Sequence, residues 1–375
     1  MKWMLFFKKH MVLILAALAA GISMFWNPPC AATWGYLDWN VLSMLFCLMA
    51  VVAGFRKIGV FQSLADVCCK HLKSTRMLAF LLWNLCFFLS MLVTNDVALI
   101  TFVPFTCSLL QRDDQRKILL RIVVIEAAAA NLGSMATPIG NPQNLYLYLY
   151  LYSTYSFSLG TFFKTILPIV GISYIGLLFS LLLIPQQPLA AEIPTESHLP
   201  LSAQKKNLII YSVLGVVCLA TVAGLVTHVV CFCVVLLGMI VTDRALIRRV
   251  DWELLLTFVC FFLFSGNLQQ IEPVRNLMMQ GLSGGVCLTA ALVSQVISNV
   301  PAAVLLSGFT EQGKELLLGV DIGGLGTPIA SLASLIAYQY YAKSKLANPA
   351  KYLQFFFIYQ FIGLFLLLAI KFILL

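Results

Sequence analysis

The sequence predicts an all-α polytopic membrane protein with inverted-topology repeats, two re-entrant helical hairpins and two broken transmembrane helices. Three observations predict it. Of the 375 residues, 61% are hydrophobic and only 10% charged, with a mean hydropathy of +0.94; soluble domains run at roughly 45–50% apolar and about 25% charged. The apolar residues form long runs, several of them interrupted by short polar breaks. Three short motifs recur in the same order in both halves of the chain.

This composition excludes a soluble enzyme, a nucleic-acid binder and a disordered chain, because no water-soluble packing could hide so much apolar surface. The net charge of +9 is read as membrane orientation, and no nucleic-acid partner is expected. The eleven cysteines lie mostly inside apolar runs and lack zinc-site spacing, so they read as small apolar filler and no metal site is expected.

In chain order, residues 1–37 give a first transmembrane helix (Met11–Trp26) and an external loop. The basic flank of Lys2, Lys8 and Lys9 would also suit a cleaved signal peptide, but the many later spans favour a retained helix. Residues 38–184 form a first repeat with a hairpin at 77–110 and a broken helix at 118–152. Residues 185–206, with Pro, Gln and Glu, read as a cytoplasmic linker, and 207–250 as connecting helices. Residues 251–375 form a second repeat, with a hairpin at 284–310, a broken helix at 316–341 and a last helix at 352–374. The hairpins are read as re-entrant because their arms are shorter than the ~20 residues a crossing needs. They also flank polar breaks, Thr94-Asn95-Asp96 and Ser298-Asn299, and broken backbone at membrane depth is tolerated only where protein or a cavity surrounds it.

Charge tests the topology. With the N-terminus in the cytoplasm and the hairpins not crossing, 20 of the 24 Lys and Arg residues fall on the cytoplasmic side and the C-terminus is external. Outside remain Lys164, Arg275, Lys314 and Lys371. Full crossing by both hairpins would turn the basic loop 111–117 outward.

The repeat rests on matched motifs. Asp38-Trp39-Asn40 matches Asp251-Trp252-Glu253, with Leu42/Leu255 and Cys47/Cys260 in step. Thr94-Asn95-Asp96-Val97-Ala98 matches Ser298-Asn299-Val300-Pro301-Ala302, and Ala136-Thr137-Pro138-Ile139-Gly140 matches Gly326-Thr327-Pro328-Ile329-Ala330. Five crossings separate the two Asp-Trp signatures, an odd number, so the repeats run in opposite senses. Inverted repeats with paired discontinuous segments point to a secondary transporter with its site near the midplane. Half-helix N-termini there suit an anion, whereas free carbonyls suit Na⁺ or H⁺.

At these residues the chain resembles the ion transporter superfamily, which includes divalent-anion symporters, citrate transporter-like carriers, arsenite permeases and some sodium/proton antiporters. Gly133-Ser134-Met135-Ala136-Thr137-Pro138-Ile139-Gly140-Asn141-Pro142-Gln143-Asn144 is similar to the symporters' Gly-rich break. Thr94-Asn95-Asp96, Ser298-Asn299-Val300-Pro301 and Gly326-Thr327-Pro328-Ile329 are similar to the arsenite branch. The mixture is most similar to YbiR-type inner-membrane proteins. The symporters carry Ser-Asn-Thr at both tips; here Asp96 and Val300 stand in place of Thr. The resemblance implies an elevator-like carrier in a bacterial-type inner membrane, commonly a homodimer, with a small-ion substrate and no cofactor beyond a coupling Na⁺ or H⁺.

Candidate substrate or ion ligands are Thr94, Asn95, Asp96, Thr137, Gly140, Asn141, Asn144, Ser298, Asn299 and Thr327. Candidate coupling residues are the acids Asp96, Glu126 and Asp321, since an acid at membrane depth is costly and a functional candidate by default. Each has a structural alternative: Asp96 as a helix cap, Glu126 as a buried hydrogen-bonding group, Asp321 as a residue nearer the surface. Gly133, Gly140, Gly323, Gly324 and Gly326 permit the breaks. Tyr146, Tyr148, Tyr150 and Tyr152 read as an aromatic belt at the outer interface. The expected function is transport of a small ion, most simply an anion coupled to H⁺ or Na⁺. A sodium/proton antiporter or oxyanion exporter stands as the alternative. An intramembrane enzyme or channel fits less well: the four His (His10, His71, His198, His228) fall near surfaces, and no H-E-x-x-H, Gly-x-Ser-x-Gly or Walker motif occurs.

Overall fold

The computed structural model describes residues 10–69, 72–189 and 204–374. Lys2, Lys8, Lys9, Lys70, His71, most of the expected linker including His198, and Leu375 lie outside them. Among the described residues the chain is helical throughout, apart from short connectors and an isolated bridge between Ser74 and Pro188. In chain order the helices are α1 (Met11–Trp26), α2 (Trp39–Lys57), α3 (Val60–Cys69), α4 (Thr75–Ser90), α5 (Asn95–Leu109), α6 (Arg116–Ser134), α7 (Pro142–Tyr155) and α8 (Leu159–Ser180). There follow α9 (Lys205–Val222), α10 (His228–Asp243), α11 (Trp252–Gln270), α12 (Glu272–Ser283), α13 (Val286–Ile297), α14 (Asn299–Ser307), α15 (Gly313–Ile322), α16 (Leu332–Ala342) and α17 (Pro349–Leu374).

Six segments are long and apolar enough to cross a membrane: α2, α8, α9, α10, α11 and α17, with α8 and α10 lengthened by 3₁₀ turns. Their outward faces carry Ile175, Phe179, Val216, Leu237 and Phe365, as expected where lipid replaces water. The protein is a multi-pass membrane protein. Its helices start where short polar side chains cap free N–H groups: Asp38 on α2, Ser74 on α4, Asn141 on α7, Ser158 on α8 and Asp251 on α11. The two Asp-Trp signatures are therefore N-caps. At α1, Asn267 Nδ2 donates to Ser23 Oγ at 2.9 Å, and α1 packs along α11.

The expected hairpins and breaks are helix pairs: α4–α5 and α13–α14 for the hairpins, α6–α7 and α15–α16 for the breaks. Packing follows the repeat. α4 lies on α6 as α13 lies on α15. Each hairpin's second arm then packs across on the other half's broken helix, α5 on α16 and α14 on α7. Close approach requires glycine: a Cβ on Gly133 would meet the Phe87 carbonyl oxygen at 2.1 Å, and one on Gly323 would meet Ala291 Cα at 2.8 Å.

Two features depart from the sequence reading. The short helices α3 and α12, each leading into a hairpin, fall where no element was expected, and α12 meets α13 at a 114° bend. The tyrosine run is not a belt. Tyr146 and Tyr148 are buried, Tyr150 is half-buried, and only Tyr152 is exposed. Residues two apart on a helix point to nearly opposite faces, so the alternation cannot place all four rings at one surface.

Candidate functional site

The two hairpin tips meet. Asn95 and Asp96 from the first, with Ser298 and Asn299 from the second, line one cavity of about 200 Å³ together with Gln143 and Ser331. A larger cavity of about 640 Å³ shares Asp96 and Pro142 with it and also reaches Thr94 and Asn141. Its lining includes Arg56, Lys57 and Arg249, and Lys57 is ion-paired with Asp243. Asp96 sits in the first turn of α5, faces both cavities and has no cation partner among the described residues.

Each tip is held by the same backbone contacts. Asn95 N–H donates to the Gly140 carbonyl at 3.2 Å, and Asn299 N–H donates to the Ala330 carbonyl at 2.9 Å. The acceptors are matched residues of the two breaks. Gly140 N–H in turn donates to the Thr137 carbonyl, and Ala330 N–H to that of Thr327. The Thr137 hydroxyl donates to the Met91 carbonyl at 2.5 Å and the Thr327 hydroxyl to that of Gln295 at 2.9 Å. Both threonines thus tie a break to the first arm of its hairpin, with their hydroxyl hydrogens committed to carbonyls.

Behind the tips, two residues that the repeat register pairs brace the halves to each other. Asn131 on α6 accepts from Asn95 Nδ2 at 3.0 Å and from Ser331 Oγ at 2.9 Å, and donates to Ser334 Oγ at 3.0 Å. Its counterpart Asp321 on α15 is buried and accepts from Asn141 Nδ2 at 3.4 Å. Asn141 Oδ1 caps α7 by accepting from Asn144 N–H at 2.8 Å, and Asn144 Nδ2 donates to the Met135 carbonyl. Asp321 Oδ2 and Asn144 Oδ1 are buried without partners. Asp321 therefore lies in the core of the molecule, not near the surface.

Of the expected residues, Thr94, Asn95, Asp96, Asn141, Ser298 and Asn299 line the cavities. Thr137, Gly140, Asn144, Thr327 and Asp321 form the frame behind them. Glu126 lies away from both, fully buried, with Thr106 Oγ1 at 2.6 Å. Sequence reasoning missed Asn131, Gln143 and Gln295. Gln295 Nε2 donates to the Gly323 and Leu325 carbonyls and its Oε1 accepts from Thr327 N–H. Carrying the Gly-Thr-Pro alignment back five residues would have found Asn131 opposite Asp321. Among the described residues, no three His, Cys, Asp or Glu side chains are grouped to hold a metal ion.

Residues 3–311 match the family described as citrate transporter. The chain belongs to that family. It is 31% identical over 301 residues to the Uncharacterized transporter MJ0456 of Methanocaldococcus jannaschii, covering 80% of each chain. It is 30% identical over 334 residues to the Inner membrane protein YbiR of Escherichia coli, covering 86% of each. A shorter match, 32% over 126 residues, joins 33% of this chain to 25% of the Silicon efflux transporter LSI3 of rice. The protein is accordingly a membrane transporter and not an enzyme.

Proposed function

We propose that the protein is a secondary active carrier of a small anion, coupled to H⁺ or Na⁺, with its site between the two hairpin tips. The carrying observation is that Asn95, Asp96, Ser298 and Asn299, from the two halves of the chain, line one cavity at the N-termini of α5 and α14. Helix N-termini bear partial positive charge and suit an anion. The larger cavity is lined by Arg56, Arg249 and the ion-paired Lys57 but also by Asp96 and Asp251, so the anion reading rests on the helix ends and not on the balance of side-chain charge. The tip amides of Asn95 and Asn299 offer both donors and acceptors. The carboxylate of Asp96 would repel an anion unless a proton or cation accompanies it, which makes it a coupling residue. Asp321 and Glu126 are the further candidates.

In this reading, the hairpins and broken helices move together against α2, α9, α10 and α11 in an elevator-like step. The hairpins enter from opposite faces, the N-terminus is cytoplasmic, and two copies form a homodimer in a bacterial-type inner membrane. Export of an oxyanion is the second reading, supported by the partial match to a protein named for silicon efflux.

Uptake into proteoliposomes tests the first reading, with labelled citrate, succinate, phosphate and arsenite as probes under imposed pH or Na⁺ gradients. Gradient-driven accumulation of a probe is expected, and leakage that only equilibrates it would indicate a channel instead. Orientation is tested separately by Asp113→Cys and Gln312→Cys in a cysteine-free background, both at exposed positions. They should label from opposite sides, and labelling from one side defeats the inverted arrangement.

A further inference from the structure

Away from both cavities, the seam between α5 and α6 contains an acid that the tip site does not use. Glu126 is fully buried. Its Oε1 lies 2.6 Å from Thr106 Oγ1, and its Oε2 has no hydrogen-bond partner. Among the described residues no Lys, Arg or His is paired with it. The titratable groups facing it are Cys86 of α4, Cys107 of α5 and Tyr352 of α17, whose hydroxyl is also buried and without a partner. None of them carries a positive charge.

Burial away from any cation and a count of hydrogens together point to the protonated acid. Thr106 Oγ1 lies 3.0 Å from the Phe102 carbonyl as well as 2.6 Å from Glu126. A hydroxyl has one hydrogen to give, while a carbonyl and a carboxylate both only accept. With Glu126 ionised, one of these two short oxygen–oxygen contacts would have no hydrogen in it. With Glu126 protonated, the acid donates to Thr106 and Thr106 donates to Phe102, and both contacts are hydrogen bonds.

We infer that Glu126 is a proton-binding site, occupied in this conformation, on the seam joining the first hairpin to the first broken helix. This rests on the coupled-carrier reading above for its purpose, but not for its chemistry. The loaded proton ties α5, whose other end carries Asn95 and Asp96, to the middle of α6, five residues before Asn131. Its release leaves a buried carboxylate with no cation to compensate it, which is tolerated only if the seam opens to water or admits a cation. Binding and release of the proton are thereby linked to movement of the hairpin against its partner.

Infrared difference spectroscopy of the full chain in lipid nanodiscs tests this without any substrate. A carbonyl-stretch band of a protonated carboxylic acid is expected at neutral pH. It should vanish in Glu126→Gln, persist in Asp96→Asn, and titrate away reversibly at alkaline pH while the protein stays folded. Thr106→Val keeps the acid but removes its acceptor, so the band should move to higher frequency, which serves if Glu126→Gln fails to fold. A spectrum in which neither variant alters an acid band overturns the inference. So does a Glu126 band that never titrates before unfolding, since that is a permanently neutral structural group. Either failure leaves anion transport through the tip site standing, because the uptake assay decides that independently.

Discussion

The two hairpin–break junctions share their backbone and differ in their side chains. Asn95 N–H to Gly140 and Asn299 N–H to Ala330, and Thr137 to Met91 and Thr327 to Gln295, are the same contacts made twice. Yet Asp96 pairs with Val300 in the repeat, Asn131 with Asp321, Asn141 with Ser331 and Asn144 with Ser334. The geometry that holds the start of each hairpin's second arm against a break is symmetric. The charge is not: two of these unlike pairs carry a single acid each, on the tip in the first half and on the broken helix in the second. In the proposed carrier reading, the scaffold built twice would supply the movement and the asymmetric acids the coupling.

If the tips act as one site, removing either should be equally damaging. Asn95→Ala and Asn299→Ala should each abolish transport while the protein still inserts and elutes as folded. Asn95→Ala has the further cost of the bond to Asn131, about 1 kcal/mol, so it should melt lower than Asn299→Ala. Normal uptake by either variant would remove that tip from the site.

Asp96 sharpens the contrast with Val300. Asp96→Asn keeps the side chain's shape and removes its ionisable group, so gradient-driven accumulation should be lost while exchange of labelled for unlabelled solute survives. The expected cap role does not hold, since Thr94 is the N-cap and Asp96 lies inside the first turn without a capping hydrogen bond. If Asp96 served only to complement the helix dipole, Asn would cost about 1 kcal/mol or less. Continued accumulation with unchanged pH and Na⁺ dependence would then identify it as structural.

A smaller effect is expected where the second junction has a brace that the first lacks. Gln295 holds the Gly323 and Leu325 carbonyls and the Thr327 N–H, whereas its counterpart Met91 offers only its backbone carbonyl. Gln295→Met makes the junctions alike and leaves those groups in want of partners, at about 1–3 kcal/mol for an unsatisfied buried polar group. A lower melting temperature should report it, and an unchanged one would mean the break relaxes freely.

The symmetric part of this comparison was legible in the sequence and the asymmetric part mostly was not. Thr-Pro-Ile at 137–139 and 327–329, and the tip asparagines, survive as letters, so the helix ends on either side of them could be placed to within a few residues. Asn131 escaped because its counterpart, the expected candidate Asp321, is a different residue, and the pairing is visible only once Ser331 and Asn141 are seen reaching across. The helices α3 and α12 escaped because ten or twelve residues with one apolar face resemble loop beside the long apolar runs. The tyrosines misled because their alternation with Leu is a strand-like period on a helix.

The finest difference between the junctions is a backbone angle. Thr94, preceding α5, has φ −71° and ψ 150°, ordinary extended backbone, whereas its counterpart Ser298, preceding α14, has φ 76° and ψ 154°. That second region is essentially reserved for glycine, and a side chain there costs on the order of 1–3 kcal/mol unless its surroundings impose it. Here they do: Ser298 N–H donates to the Ser294 carbonyl, and Asn299 N–H, one residue on, is fixed to Ala330. Glycine has no Cβ to clash at positive φ but loses more chain entropy on folding, roughly 0.5–1 kcal/mol against alanine. Ser298→Gly should therefore raise the melting temperature slightly, by relief of strain that exceeds its entropy cost, while Thr94→Gly, which relieves nothing, should lower it. Should both substitutions lower stability by the same amount, the Ser298 hydroxyl, 3.4 Å from the Ala330 carbonyl, would be contributing more than its backbone conformation costs.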